Sequence, residues 1–193
     1  MVRLLLVTFL TFSSNNLLPN ELKVGFAKIS ITPDLIDKWE DIDNDAQFNS
    51  NIDLWTDVNG NGQFDAVWMA GFQNNRPAQG IKDELMAVAA VIDDGKTRIG
   101  IISADTIGLM RKFVLSVRKD LPAEWGLDYL MIHATHNHEG PDTQGLWGPS
   151  LFKSGVDDEY MGQLKQNFLN ALNLAIDNLE PAQMSLALIP TNP

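Results

Sequence analysis

The chain of 193 residues has no cysteine, only three histidines, and far fewer basic than acidic side chains. Without cysteine it can form neither disulfides nor thiolate metal sites, so any metal must be held by nitrogen and oxygen ligands. The 14 Lys and Arg against 25 Asp and Glu give a formal net charge of -11, which argues against nucleic-acid binding. The same charge disfavours adsorption on anionic membranes, and no apolar run is long enough to form a transmembrane span.

The N-terminus has the outline of a secretory signal peptide over residues 1–16. Arg3 precedes an apolar run at 4–12, and small polar residues follow at 13–16. This pattern predicts a secreted or periplasmic protein. The alternative is that the apolar run forms a first buried strand.

The remainder of the chain has the length and 45% hydrophobic content of one globular domain. Alternating and β-branched stretches predict strands, and apolar residues at helical spacing predict helices. The order of these elements indicates the α/β class, with a layered mixed sheet and flanking helices. The predicted strands are 24–31, 88–92, 98–104, 129–135 and 184–189, and the predicted helices are 107–121 and 157–179.

All three histidines lie in one short segment, where an apolar run at 130–134 leads into a Gly-Pro turn. Neutral imidazole is a common zinc ligand, and a strand end is a common place for a metal site. Side chains alternate along a strand, so His136 and His138 are expected to point the same way and His133 the other way. The segment therefore predicts metal-assisted hydrolysis, with ligands beyond these two. The alternative is a non-catalytic, exported, calcium-binding domain in which the histidines are ordinary turn residues.

An acidic segment at 34–66 holds a second candidate metal site. Oxygen-bearing side chains stand at relative positions 1, 3, 5 and 9 of the stretch 57–65, with glycine at position 6, as in the first part of a calcium loop. Position 12 is Trp68 rather than a closing glutamate, although Asp41, Asp43 and Asp45 could add carboxylates. The alternative is an Asn-Gly turn that links two short strands. The candidate Ca²⁺ ligands are Asp57, Asn59, Asn61 and Asp65. The sequence shows no internal repeat longer than this acidic loop pattern.

Four stretches of the chain resemble, in order, the N-terminal part of the neutral/alkaline non-lysosomal ceramidase family. The most specific is Thr-His-Asn-His-Glu-Gly-Pro at 135–141, which is similar to the family's Thr-His-Thr-His-Ser-Gly-Pro. The other three are Val-Gly-Phe-Ala-Lys-Ile-Ser-Ile-Thr-Pro at 24–33, Gly-Ile-Lys-Asp-Glu-Leu-Met-Ala at 80–87, and Ile-Ser-Ala-Asp at 102–105.

The resemblance implies a zinc-dependent hydrolase that cleaves the N-acyl amide of a ceramide-like lipid, or a related ester. It implies that His136 is a zinc ligand and that His138 lies beside the metal in the substrate pocket. The family's remaining ligands, a second histidine, a glutamate and a tyrosine, lie further downstream. Because no histidine follows His138, residues 22–193 are expected to be the N-terminal part of a larger catalytic domain, inactive alone.

Several positions depart from the family or carry roles that the sequence leaves open. Lys82 replaces a histidine found in many relatives, which alters a contact on the substrate side, and the changes in the histidine motif suggest a divergent branch. Asp105 is expected to support a histidine ligand from behind, or to cap a helix. Arg76 is a candidate to bind a substrate oxygen, with a surface role as the alternative. Trp147 is a candidate to line a lipid-facing groove. The sequence indicates no oligomeric state.

Overall fold

The computed structural model describes residues 21–185 and residue 187, so the predicted signal peptide lies outside the described residues. Two α-helices, a short 3₁₀ helix at Ala123–Trp125 and seven strands make up this part of the chain. None of the helices in the described residues is long and apolar enough to cross a membrane. The elements are β1 (Lys23–Ser30), β2 (Lys38–Glu40), β3 (Leu54–Thr56), β4 (Met86–Asp93), β5 (Arg98–Ala104), α1 (Arg111–Lys119), β6 (Tyr129–Ala134), α2 (Asp158–Asp177) and β7 (Glu180–Pro181).

Five strands form one mixed sheet in the order β6-β5-β4-β1-β7. β4 pairs antiparallel with β1 and β5, and β1 pairs antiparallel with β7. β6 pairs parallel with β5, after the crossover through α1. The predicted α/β class with a mixed sheet is confirmed. The turn between β4 and β5 is closed by Asp94, whose backbone N–H donates to the carbonyl of Thr97 at 3.2 Å.

The core lies between α2 and one face of the sheet. Alternate strand residues such as Ala87, Ala89 and Ile102 are fully buried and face the apolar stripe of α2, where Phe168 is also fully buried. Asp157 begins this helix by accepting from the N–H groups of the first turn, as a capping carboxylate should. The residues between them on the strands point the other way, and several are exposed: Phe26, Val88, Tyr129 and Met131.

Two predicted elements are shorter or displaced. The helix predicted at 107–121 begins only at Arg111. The reason is that the carbonyls of Ile107 and Gly108 accept hydrogen bonds from the side chains of His136 and Thr143 instead of helical ones. The strand predicted at 184–189 is wrong for its described residues, which form no strand. The last strand of the sheet lies earlier in the chain, where the two residues of β7 pair with β1.

The acidic segment is not a continuous loop, because β2 and β3 pair as a small antiparallel ribbon within it. Residues 41–53 join the two strands, so the interpretation of the Asn-Gly stretch as a link between them is wrong. Residues 37–49 and 53–65 also prove to be two copies of one pattern, 16 residues apart, with Asp, Trp, Asp, Gln and Phe at equivalent positions. Trp39 pairs with Trp55 across the ribbon, and the rings of Phe48 and Phe64 stack at 3.9 Å.

Candidate active site and cation-binding loops

Residues 135–141, here called the histidine loop, follow the last residue of β6 at the carboxyl end of the parallel strands β5 and β6. His136 has a φ of 65°, a left-handed conformation that is uncommon outside glycine, so the chain bends sharply here. Its Nδ1 lies 2.7 Å from the carbonyl oxygen of Ile107. A carbonyl only accepts, so Nδ1 carries the hydrogen and Nε2 keeps its lone pair free. This is the tautomer that a metal ligand needs.

The imidazole of His138 lies next to that of His136, with 4.8 Å between the ring centroids. Phe72 packs edge-on against the ring of His138 at 5.4 Å. On another side of the ring is Gly71, where a Cβ atom would lie 2.5 Å from the ring carbon Cγ. Only glycine fits at this position, which also has a φ of 103°. The prediction that the two histidines come together is confirmed by their geometry, whereas His133 stays on β6 with an exposed side chain.

A loop at 68–77 is bound to the histidine loop through its backbone. Ala70 donates to the carbonyl of Gly140 at 2.9 Å, and Asp142 donates to the carbonyl of Trp68 at 2.8 Å. The guanidinium of Arg76 lies against its own chain, with Nη2 2.8 Å from the carbonyls of Ala70 and His138. Trp147 donates from Nε1 to the carbonyl of Phe72 at 3.0 Å.

Asp142 holds the chain just after the histidine loop, and the sequence reasoning missed it. Its side chain is 1% exposed and accepts hydrogen bonds from four backbone N–H groups. An aspartate followed by Thr-Gln-Gly is a turn signal that could have indicated this role. The donors are the N–H groups of Gln144, Gly145, Trp147 and Gly155, at 2.9, 2.8, 2.9 and 3.2 Å.

A cavity of about 770 Å³ lies beside the histidine loop and brings together two of the predicted site residues, Lys82 and Asp105. From the loop itself it is lined by Thr135, Asn137 and Glu139, which alternate with the two histidines and face away from them. The rest of the wall is mixed: it includes the acidic residues Asp83 and Glu84 together with apolar residues, namely Pro33, Leu35, Val67, Met69, Ile81, Leu85 and Pro141.

Asp105 reaches no histidine among the described residues. One carboxylate oxygen accepts from the hydroxyl of Thr135 at 3.1 Å, and the other from the N–H of Met86 at 3.0 Å. It therefore ties β4 to the start of the histidine loop rather than supporting an imidazole. It is also no helix cap, since Met110 is the residue that precedes the first turn of α1.

The two copies of the repeated pattern form loops with the same hydrogen bonds. Asp57 accepts from the N–H groups of Asn61 and Gly62 at 3.2 and 2.7 Å. Asp41 accepts from the equivalent groups of Asp45 and Ala46 at 3.2 and 2.8 Å. The fourth and sixth positions of both loops are left-handed: Asn44, Ala46, Gly60 and Gly62.

Each loop is also supported by a buried aspartate of the other copy. Asp53 accepts from the N–H groups of Ile42 and Asn49 at 3.0 and 2.7 Å. The equivalent Asp37 accepts from the N–H groups of the second loop's Val58 and Asp65, at 2.9 and 2.8 Å. The repeat was visible in the sequence, and aligning 37–49 with 53–65 would have identified both aspartates.

Carboxylates and amides converge inside each loop. The side chains of Asp41, Asp43 and Asp45 offer oxygens that all lie within 4.8 Å of one another, which no other trio of acidic or imidazole side chains does in the described part of the chain. Partial desolvation, together with the charges of the neighbouring aspartates, raises the pKa of Asp43. In the second loop Asn59 and Asn61 both contact one oxygen of Asp65, at 2.7 and 2.6 Å.

The molecule is therefore an α/β domain in which the histidine loop follows a pair of parallel strands. Solved structures with this fold are known. A ceramidase in complex with C2 matches with a TM-score of 0.57 and 20% identity over 83% of this chain. The neutral ceramidase from Pseudomonas aeruginosa matches with a TM-score of 0.57 and 19% identity over the same share. The chain spans 22% of the length of each. No protein-family profile and no curated protein sequence matches it. The fold is ceramidase-like, as the sequence predicted.

Proposed function

We propose that this chain is the metal-binding N-terminal part of a zinc-dependent hydrolase. The observation that carries the proposal is the imidazole of His136, whose Nδ1 is committed to the carbonyl of Ile107 while its Nε2 is free to bind a metal. His138 lies beside it, with 4.8 Å between the ring centroids. The ceramidase-like fold makes a hydrolase the class of enzyme that the site fits best.

The residues present fit a zinc ion, because neutral imidazole is a preferred ligand and a catalytic zinc takes about three protein ligands. A zinc ion in such a site lowers the pKa of a bound water and polarises the scissile carbonyl. His136 would hold the metal. His138 would accept or donate a proton at the reacting oxygen, and its ring is held for this by Phe72 and Gly71. In the proposed enzyme the remaining ligands come from outside residues 1–193.

We propose an N-acyl amide of a lipid-like molecule, or a related ester, as the substrate. The cavity next to the loop has apolar side chains in its wall, which suit an acyl or alkyl chain. Neither imidazole lines this cavity, so the scissile bond of the proposed substrate would lie outside it, where His136 and His138 meet. The two ceramidase structures make a ceramide-like amide the first compound to test.

Zinc binding to the isolated chain tests the first proposal. We expect His136→Ala to abolish the binding that the parent chain shows by titration calorimetry, because it removes the ligand nitrogen. His133→Ala is the matched control, since it deletes an exposed imidazole three residues away on β6. Asp57→Ala, in the acidic segment, should also leave zinc binding unchanged. Equal zinc binding by His136→Ala and the parent would refute the proposal.

We further propose that the two loops of the acidic segment bind calcium, with a structural rather than catalytic role. The specific observation in favour is that Asp41 and Asp57 accept hydrogen bonds from equivalent backbone N–H groups of two loops rich in side-chain oxygens. Hard cations prefer six to eight oxygen ligands, and backbone carbonyls and waters would complete each shell. If the chain is exported, as residues 1–16 suggest, calcium at about millimolar concentration would be available to such sites.

We expect calcium to raise the melting temperature of the parent chain and Asp43→Asn to reduce that rise. The variant removes one of three converging carboxylates and their mutual repulsion, so without calcium it should be at least as stable as the parent. Asp83→Asn, which removes one exposed carboxylate outside the segment, is the control for net charge. A calcium-induced rise that is the same in Asp43→Asn, Asp83→Asn and the parent would contradict the calcium proposal.

A further inference from the structure

Arg76 is a largely buried cation whose hydrogen-bonding groups are not all satisfied. Its side chain is 12% exposed, and its Nε is buried with no hydrogen-bond partner among the described residues. A buried polar atom left without a partner costs stability, so some other property must keep the arginine there. The ion pair with Glu139 does not supply it, because that carboxylate is 64% exposed and lies 3.4 Å away.

The guanidinium of Arg76 contacts His138 itself and two residues next to Gly71, on which the ring of His138 lies. Its Nη2 lies 2.8 Å from the carbonyl oxygen of His138 and 2.8 Å from that of Ala70. Its Cζ lies 4.8 Å from the centroid of Phe72, on whose ring the imidazole of His138 also packs. One planar group thus fixes the backbone of His138 and, through Phe72, the direction of its ring.

We infer that Arg76 is a positioning residue for His138, a role that rests on the proposed hydrolase function. It touches neither imidazole nor any reacting atom. By donating to two carbonyls while its Cζ lies over the ring of Phe72, it keeps the ring of His138 against Gly71 and beside that of His136. A lysine ammonium could donate to the carbonyls but has no planar face to lie over Phe72, so it should replace the guanidinium only in part.

The chain offers a matched control in Arg118. Its Nε and Nη2 donate to the carbonyl of Leu130 at 3.0 and 2.7 Å, and its Cζ lies 5.2 Å from the ring of Tyr129. The chemistry is the same as at Arg76, and it acts on β6, the strand that leads into the histidine loop. Arg118→Ala therefore measures what loss of such a clamp does when His138 is not its target.

The experiment compares the parent chain with Arg76→Ala, Arg76→Lys and Arg118→Ala. Carbethoxylation of each histidine by diethyl pyrocarbonate, followed by peptide mass spectrometry, reports ring accessibility without any metal. We expect His138 to react severalfold faster in Arg76→Ala, and to an intermediate extent in Arg76→Lys. The exposed His133 is an internal reference and should react equally in all four proteins. Zinc affinity should change little in Arg76→Ala, because the proposed ligand is His136, whose Nδ1 is held by the carbonyl of Ile107 rather than by Arg76.

Two results would overturn the inference. One is an unchanged rate at His138 in a folded Arg76→Ala protein. The other is an equal acceleration at His138 in Arg118→Ala, which would mean that any lost clamp loosens the loop. The modification rates decide the role of Arg76 even if no zinc binds. The absence of zinc binding by the parent chain would count against the hydrolase proposal alone.

Discussion

Replacing Asp142 by alanine should lower the free energy of unfolding by about 3 kcal/mol, since each N–H stranded away from water costs about 1–3 kcal/mol. Four backbone N–H groups lose their acceptor at once in this variant. Rotation of the chain toward solvent can satisfy some of them, so the four losses do not add in full. Urea denaturation of the parent and of Asp142→Ala, followed by circular dichroism, measures the difference.

Asp142→Asn separates the loss of hydrogen bonds from the loss of side-chain volume. The amide keeps one oxygen acceptor but turns an N–H₂ group toward backbone donors, so its loss of stability should be intermediate. A change below about 0.5 kcal/mol in Asp142→Ala, the range usual for exposed positions, would show that these hydrogen bonds do not stabilise the loop. Asp142→Ala should also reduce zinc binding, because four backbone N–H groups just after the histidine loop lose the acceptor that holds them.

Gly25→Ala should destabilise the fold by about 3 kcal/mol or more, at or above the upper end for overpacked sites. Gly25 lies in β1, where the strand approaches the last turn of α2 so closely that a Cβ atom would lie 1.9 Å from the carbonyl oxygen of Ala175. Two further backbone carbon atoms would lie 3.0 Å from it. A side-chain rotation cannot relieve such contacts, so the helix would have to move away from the sheet.

Gly162→Ala is the matched control for this substitution. Gly162 lies within α2, and a Cβ atom there would meet nothing within 4 Å. The same chemical change should therefore stabilise the protein by about 0.5–1 kcal/mol, through the better helix propensity of alanine. Thermal denaturation of both variants should give shifts of opposite sign. Shifts of the same sign would mean that the close approach of β1 to α2 has little energetic importance.

The sequence was sufficient for the elements whose hydrophobic pattern is strong and local. The strands at 23–30 and 98–104 and the helix beginning after Asp157 were predicted within a residue or two, because alternation and helical spacing reflect burial on one face. The start of α1 was not predicted. The carbonyls of Ile107 and Gly108 are taken by hydrogen bonds from His136 and Thr143, and no local propensity contains that information.

The candidate site shows the same division. The pairing of His136 with His138 followed from their spacing, whereas the partners that fix their rings come from distant segments. Phe72 and Arg76 reach the histidine loop only because the 68–77 loop is bound to it. The cavity that receives Lys82 also depends on this packing. The buried aspartates Asp37 and Asp53, one in each copy, could by contrast have been found by comparing the chain with itself.

The reciprocal support of the two loops makes them interdependent. Asp53 completes the first loop and Asp37 completes the second, so neither copy supplies its own buried acceptor. The equivalence extends to the paired tryptophans, Trp39 and Trp55. Damage to either copy should therefore disorder both loops, and the two copies should unfold together as one cooperative unit.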